Sequence, residues 1–561
     1  MMATGPAPRR RTPDRARDEG QWALGGRTAL NDNERMKQAE DPLRVRERIE
    51  NVYARRGFDA IDPDDLHGRF RWWGLYTQRR PGIDGGRTAL LTPEELEDSY
   101  FMLRVRCDGG ALDLRQLRAI AEISARFARG TADITDRQNI QLHWVRIEDV
   151  PEIWRRLEAV GLSTTEACGD CPRVVLGSPV AGVSADEVLD ATPAVREIVD
   201  RYVGDPSLSN LPRKFKSSVS WLADVPYQAN DISFLGVEHP LHGPGFDLWV
   251  GGGLSTAPRL AERVGAWVPL AEVPEVWVAV TRLFRDYGYR RLRNRARLKF
   301  LVAEWGVARL REVLETEYLH RPLLDGPPPL LPAAPVEHTG VHQQRDGRHY
   351  VGVAPVVGRV SGKQLTALAD TAEAHGCGRV RLTAYQKLLV LDAVDPEPLV
   401  KDLRGIGLEA EPSAWRRSTM ACTGIEYCKL AIVETKARAA GLVEELERRL
   451  HDLDVEMSIT LNGCPNACAR TQIADIGLKG QLVTDADGRQ VEGFQVHLGG
   501  ELAMAADRTA GFGRKPRGLK ATAAELPDLV ERLARQYLDG RSGPGETFAR
   551  WVTRVDEEEL R

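Results

Sequence analysis

The sequence predicts an α+β protein made of two pseudo-symmetric halves, with one asymmetric site between them. Three observations carry this. Similar residues recur at a constant offset of 248. Within each copy, segments of strand character alternate with amphipathic helices. The copies differ in their polar residues, with basic side chains in the first and paired cysteines in the second.

The offset aligns Gln116-Leu117 with Gln364-Leu365, Gly130 with Gly378, Thr135 with Thr383 and Gln138 with Gln386. It also aligns Gly245-Phe-Asp-Leu-Trp-Val-Gly-Gly-Gly-Leu254 with Gly493-Phe-Gln-Val-His-Leu-Gly-Gly-Glu-Leu502. Several matches at one offset imply a duplicated unit. In the first copy, Tyr100 to Arg106 has strand character, and Tyr350 to Val360 is its counterpart. Asp113 is placed to cap a helix over Leu114 to Ala128, with Leu114, Leu117 and Ala121 on one face. Lys363 to Ala374 repeats it. Strand-like segments follow, then short helices over Glu152 to Val160 and Pro398 to Ile406, each closed by Gly-Leu. Helices on one face of a largely antiparallel sheet are expected. The proline-rich run Asp325 to Pro335 reads as extended and semi-rigid, and marks the boundary between halves.

The sequence divides into a tail expected to be disordered (1–44), a first half-domain with an N-terminal arm (45–163), and a first larger domain (164–325). A linker (326–339), a second half-domain (340–410) and a second larger domain (411–561) follow. At 561 residues the chain has room for several cores. A net charge of −4 from nearly balanced acids and bases gives no electrostatic case for nucleic acid. No apolar run reaches membrane-spanning length. Eight cysteines in so long a chain do not suggest a disulfide framework, and a reducing cytoplasm is the expected compartment.

The cysteines carry the chemistry. Cys422-Thr-Gly-Ile-Glu-Tyr-Cys428 and Cys464-Pro-Asn-Ala-Cys468 offer four thiolates in two pairs, the ligand count of a cubane cluster. The spacings suit neither a zinc ribbon nor a ferredoxin. Pro465 reads as the first turn of a helix whose amide dipoles favour thiolate charge, and Cys428 reads as early in a helical run from Ile425 to Leu450. Leu211-Pro-Arg-Lys-Phe-Lys216 aligns with Gly463 to Cys468, Arg104 with Gly352, and Arg173 falls near Ala421.

C-x5-C followed by C-x3-C resembles the signature of the siroheme sulfite and nitrite reductases. The resemblance spans roughly residues 45 to 540 and is nearest to ferredoxin-dependent sulfite reductases of actinobacterial type. It implies ferredoxin-like half-domains plus siroheme and cluster domains, with the cofactor site between them. Cys422, Cys428, Cys464 and Cys468 would ligate a 4Fe–4S cluster, and Cys468 would bridge it to siroheme. By the same resemblance, Arg104, Arg173, Lys214 and Lys216 would surround the substrate anion. Arg137, Gln138, Asn139, Gln141 and His143, from Thr135-Asp-Arg-Gln-Asn-Ile-Gln-Leu-His143, would hold siroheme carboxylates together with Asn466. Arg379, Arg381 and Lys387 are further carboxylate partners to test. Tyr76, in Phe70-Arg-Trp-Trp-Gly-Leu-Tyr76, and Cys168, in Ala167-Cys-Gly-Asp-Cys171, match a pair that is thioether-linked in related enzymes. With no flavin or dinucleotide module, the implied electron donor is ferredoxin and the substrate sulfite. A monomer is expected. Nitrite reduction is the alternative activity, and a non-catalytic metal-binding scaffold the distant one.

Overall fold

The computed structural model describes residues 31–453 and 456–561. In the first half the strands are β1 (Leu75–Arg79), β2 (Glu97–Val105), β3 (Ala111–Asp113), β4 (Thr131–Ile134) and β5 (Ile140–Val145). They continue with β6 (Pro172–Leu176), β7 (Phe215–Ser220), β8 (Ile232–His239), β9 (Gly243–Val250), β10 (Glu262–Val268) and β11 (Leu324–Asp325). The second half begins with β12 (Gly340–Gln343), β13 (His349–Val353), β14 (Arg359–Ser361), β15 (Arg379–Leu382) and β16 (Leu388–Ala393). It ends with β17 (Thr419–Ala421), β18 (Ile459–Asn462), β19 (Ile476–Thr484), β20 (Gln490–Leu498) and β21 (Lys520–Thr522).

The expected helices form where the caps place them. Asp113 and Gln116 make a reciprocal capping box on Leu114–Phe127, and Ser361 and Gln364 make the same box on Gly362–Ala374. The two helices pack on each other. The sheets, however, exchange strands. One runs β1-β2-β5-β4-β14 and the other β12-β13-β16-β15-β3, so each half-domain is completed by a strand of the opposite copy. This breaks the single strand expected over Tyr350 to Val360. Pro355 lacks a ladder N–H, Val357 turns at φ 47°, and the chain crosses to the other sheet as β14.

The half-domain sheets are antiparallel throughout, as expected, whereas the larger domains are mixed sheets. β6, β7 and β8 run parallel before β9 and β10 turn back, and β17, β18, β19, β20 and β21 repeat that order. Parallel neighbours need crossovers. These are supplied by helices Thr192–Tyr202 and Lys436–Arg449, then by the loops after β7 and β18.

The repeat also corrects the alignment of the halves. β7 corresponds to β18, so Lys216 sits at a strand entry, whereas Cys464 and Cys468 lie in the loop after the equivalent strand. The hydrogen bonds agree. Lys216 N–H donates to Asp231 Oδ2 at 2.8 Å, and Ser458 N–H donates to Asp475 Oδ2 at 2.8 Å. Gly177 N–H donates to Gln138 Oε1 and Ala421 N–H to Gln386 Oε1, both at 3.1 Å. Lys216 is therefore equivalent to Ser458, and Arg173 to Arg417 rather than to a residue near Ala421. A constant sequence offset could not reveal this, because the loops between the matched strands differ in length.

The aligned glycines of the repeat are close approaches of the backbone. A Cβ on Gly252 would lie 2.4 Å from Gln228 O, and one on Gly500 2.3 Å from Gln472 O. The tail expectation needs correction from residue 32 onward. Helix Asp32–Ala39 and a turn at Pro42–Arg44 are formed. Lys37 Nζ is buried and donates to Glu34 Oε1 at 2.6 Å and Leu211 O at 2.7 Å, while Arg290 pairs with Glu34 at 3.1 Å. Leu211 and Arg290 are distant in sequence from this segment, so its charges gave no sign of them. Residues 1–30 lie outside the described residues.

Candidate active site between the two halves

Arg104 and Gln141 are cross-strand partners in β2 and β5 and share one face of the first sheet. Tyr76 in β1 opposes Met102, two residues from Arg104, and so lies on that face too. Arg104 Nη1 donates to Cys168 Sγ at 2.7 Å. Arg173 enters β6 and grips the same loop, with Nε and Nη2 donating to Gly169 O at 3.0 and 2.7 Å. Burial alone would lower the Arg173 pKa, but Cys168 and Tyr76 beside it raise it above the usual arginine range. Burial and the Cys168 thiol push the Tyr76 phenol up. The structure thus brings Tyr76, Cys168, Arg104 and Arg173 together.

Lys214 and Lys216 stand at the entry to β7. Burial, then the neighbouring Lys216 and Arg297, hold Lys214 well below the lysine range. Burial and Arg137 bring Lys216 down to about 7, and burial brings Arg137 down to about 9. Both lysines also feel Cys468, which acts in the opposite direction. A thiol of the second half therefore meets the cations of the first. Asp231 orders this entry, accepting the Lys216 amide and a bidentate pair from Arg297 at 3.0 and 2.8 Å. Neither Asp231 nor Arg297 was legible in the sequence, where each is one of many acids and bases.

The four cysteines cluster at the carboxyl ends of β17 and β18. Cys422 follows β17 and its amide bonds to Leu461 O at 3.0 Å, while Gly463 N–H donates to Cys422 Sγ at 3.2 Å. Burial and the neighbouring sulfurs push Cys422, Cys428 and Cys464 each up to about 12. The expected helix at Pro465 is not formed. Residues 463–469 are turns, with Ala467 at φ 52°, and Cys428 also lies in a turn, since the helix begins at Lys436. Individual amides aimed at sulfur, from Gly463, Gly424, Leu430 and Ala431, take the place of a helix dipole. Arg79 fastens this loop from the other half, donating to Ala431 O at 3.2 Å while its amide bonds to Tyr427 O at 2.9 Å. It lies in the Gln78-Arg-Arg80 stretch that the sequence marked only as an arm.

The remaining expected ligands divide. Arg137 reaches Asn230 Oδ1 at 2.9 Å and Val174 O at 2.8 Å, leaving its buried Nε without a partner. His143 meets Asp133 at 3.2 Å through Nε2 and stacks on Tyr427 at 3.8 Å, with buried Nδ1 unpartnered. The Gln138 side chain forms a structural bridge. Its Nε2 serves Gly177 O and Leu382 O, both at 2.9 Å, and Gln386 repeats the role in the other half. Asn139 Oδ1 accepts the Cys107 amide at 3.1 Å, a structural bond as well. Asn466 is exposed and bonds toward the Cys464 sulfur. Arg379 is paired bidentately with Asp392 on β16, and buried Arg381 lies two residues on in β15.

These residues fit the two groups that the cysteine motif implies. The orphaned Nε atoms of Arg104 and Arg137 and Nδ1 of His143 are buried polar groups that call for a hydrogen-bonding ligand. Crowded cations that depress one another's pKa suit a polycarboxylate and an anion. Cys422, Cys428 and Cys464, whose thiols are pushed up by burial and by neighbouring sulfurs, need multivalent metal charge to ionise. Among the described residues, no three metal-ligating side chains close on a single-ion site. Ligands of a cubane stand further apart than the thiolates around one zinc.

Comparison with known proteins agrees. The model of the nitrite and sulphite reductase 4Fe-4S domain matches residues 168–323 and 414–561. The model of the nitrite/sulfite reductase ferredoxin-like half domain matches 94–160 and 342–402, so each is found once per half. Sulfite reductase (ferredoxin) 2 of Mycolicibacterium paratuberculosis is 61% identical over 98% of this chain and 99% of its own length. The assimilatory ferredoxin-dependent nitrite reductase of Haloferax mediterranei is 34% identical over 91% of this chain and 89% of its own. The solved structure of the Mycobacterium tuberculosis NirA protein is 60% identical, covers 97% of this chain and 100% of its own, and superimposes with a TM-score of 0.93. The similarity thus runs along nearly the whole chain, and this chain belongs to the nitrite and sulfite reductase family, whose cofactors are a siroheme and a 4Fe–4S cluster.

Proposed function

We propose that this chain reduces sulfite to sulfide with electrons from ferredoxin, as an assimilatory enzyme. The sulfite dianion takes six electrons and seven protons, giving hydrogensulfide and three waters. The observation that carries this reading is the gathering of Lys214 and Lys216, two basic side chains without carboxylate partners of their own among the described residues, near Cys468, one of the four cysteines that would hold the redox centre. Cys422, Cys428, Cys464 and Cys468 would hold the cluster, and Arg137, Gln141 and His143 the siroheme. Together these groups supply electron storage and delivery. The protein's own part is electrostatic. Arg104, Arg173, Lys214 and Lys216 hold the oxyanion, exclude bulk water and pass protons to departing oxygen. A Lys216 brought to about 7 can both hold charge and give up a proton near neutral pH.

Sulfite is favoured over nitrite because a dianion gains more than a monoanion from a second ammonium. The named relatives of about 60% identity are sulfite reductases, and the nitrite reductases are more distant. We further read Tyr76 and Cys168 as a thioether pair, formed as a ring C–H and the thiol S–H lose their hydrogens to dioxygen, which becomes hydrogen peroxide, while a C–S bond is made. The chain is read as a monomer in a reducing cytoplasm, in line with eight free cysteines and no helix long and apolar enough to cross a membrane among the described residues. The test is steady-state turnover of the purified holoprotein with reduced ferredoxin. Sulfite should be the better substrate, and a clear preference for nitrite would overturn the assignment. Peptide mapping of the same preparation, if it found Tyr76 and Cys168 unmodified, would remove the crosslink.

A further inference from the structure

The pseudo-dyad creates two junctions between the strand entries of one half and the strand-exit loops of the other. The cations and cysteines occupy one. At the other, the entries of β17 and β18 bring Arg417, Ser458 and Thr460 toward Asp224, in the loop after β7. A cavity of about 230 Å3 lies there, and these residues and Lys387 line it. The equivalence is fixed by the matched bonds of Ser458 with Asp475 and of Ala421 with Gln386, which make Arg417 the twin of Arg173.

This second junction has diverged but has not been filled. Opposite Arg104, the second copy has Gly352, where a Cβ would lie 1.7 Å from His338 O, so segment 337–338 occupies the space of that arginine. The volume left is below the 300–1,000 Å3 typical of sites for larger ligands. No cysteine is found in its lining. Most of its carboxylates are already answered. Asp224 accepts from Ser178, Ser220 and His338, Asp475 from Ser458, Glu337 from the His338 and Thr339 amides, and Glu501 pairs with Arg508 at 2.8 Å. Glu456 is the remaining acid of the lining. Besides Arg508 Nε, 3.6 Å from Asp507 Oδ1, two donors are left over. Arg417 has a buried Nε without a partner, and Thr460, 1% exposed, has an unpartnered hydroxyl. Lys387 Nζ donates to Tyr385 O at 2.8 Å and keeps further N–H capacity.

We propose that this cavity is a second, non-redox anion site, in which Arg417, Thr460 and Lys387 hold a small oxoanion. The duplicated fold supports it, independently of the activity proposed for the first junction. Selenate is the probe, since selenium can be located by anomalous scattering in soaked holoenzyme crystals. Selenium should appear beside Arg417, and selenate titrated into holoenzyme should bind roughly tenfold or more weakly to Arg417→Met and Thr460→Val, with sulfite turnover retained. The isosteric threonine variant keeps the test sound if the arginine variant misfolds. Selenium found only among Arg104, Arg173, Lys214 and Lys216, or equal binding by wild type and Thr460→Val, would overturn the proposal. Absence of sulfite turnover in the wild type would instead count against the activity and leave the selenium positions unaffected.

Discussion

Lys216 shows how one side chain is tuned by its surroundings. An ordinary lysine titrates near 10.4, but burial, then Arg137, bring this one to about 7. The cost of holding like charges together is relieved when an anion arrives, which is the physical meaning of a basic site without carboxylate partners. Lys216→Asn removes one ammonium while keeping a donor. Sulfite kcat/KM is expected to fall on the order of 10²-fold, with a smaller loss for nitrite, so the nitrite-to-sulfite ratio should rise. An unchanged ratio in paired turnover assays would contradict the charge argument. Residue identity was legible in the motif around Lys216. What it could not show was Asp231 and Arg297 ordering the strand entry, since both are remote in sequence.

At the scale of elements, the loop 164–171 carries Cys168 and is anchored by Glu166. That carboxylate is fully buried, accepting from Ser209 Oγ at 2.6 Å and Gly204 N–H at 2.8 Å. Burial raises it to about 7 against an ordinary 4.5. The folded state therefore keeps a proton that the unfolded state has released between these values. Its contribution is full below the unfolded pKa and is lost as pH rises through the folded one, on the order of 3 kcal/mol. Glu166→Gln imitates the protonated form, because its amide nitrogen can donate to Ser209 while the Ser209 hydroxyl turns to Asp205 O, 3.0 Å away. Denaturation curves from pH 5 to 8 should show the variant losing less stability than wild type. Parallel pH dependences would show that Glu166 is already ionised in the fold. Helices and their caps in this region were legible, because capping and periodicity are local. The turns at Cys428 and Pro465 were not, because tertiary amide contacts to sulfur replaced a helix there.

For the whole molecule, the exchange of β3 and β14 and a core that joins Leu117 and Ile120 to Leu365 and Leu368 make the half-domains interdependent. The connecting segment 326–335 has no helix or strand, and Leu330 in it is 97% exposed. Limited proteolysis is expected to cut there first. The two fragments should then stay together in size-exclusion chromatography under native conditions and separate only in denaturant. Fragments that part in native buffer would show that the exchanged strands contribute little.

The sequence by itself determined the duplication and the capped helices, because these rest on local periodicity; the cofactors and the candidate cations came from the resemblance of its motifs to a known family. It also determined that the copies differ where chemistry is needed. Only the tertiary structure decided which residues are equivalent across the pseudo-dyad. Strand register, not sequence offset, sets that pairing, and loops of unequal length hide it. The same register made Gln138 one of two matched bridges. It also set Arg417 in a second cavity, since a site between two halves exists only once both have folded against each other.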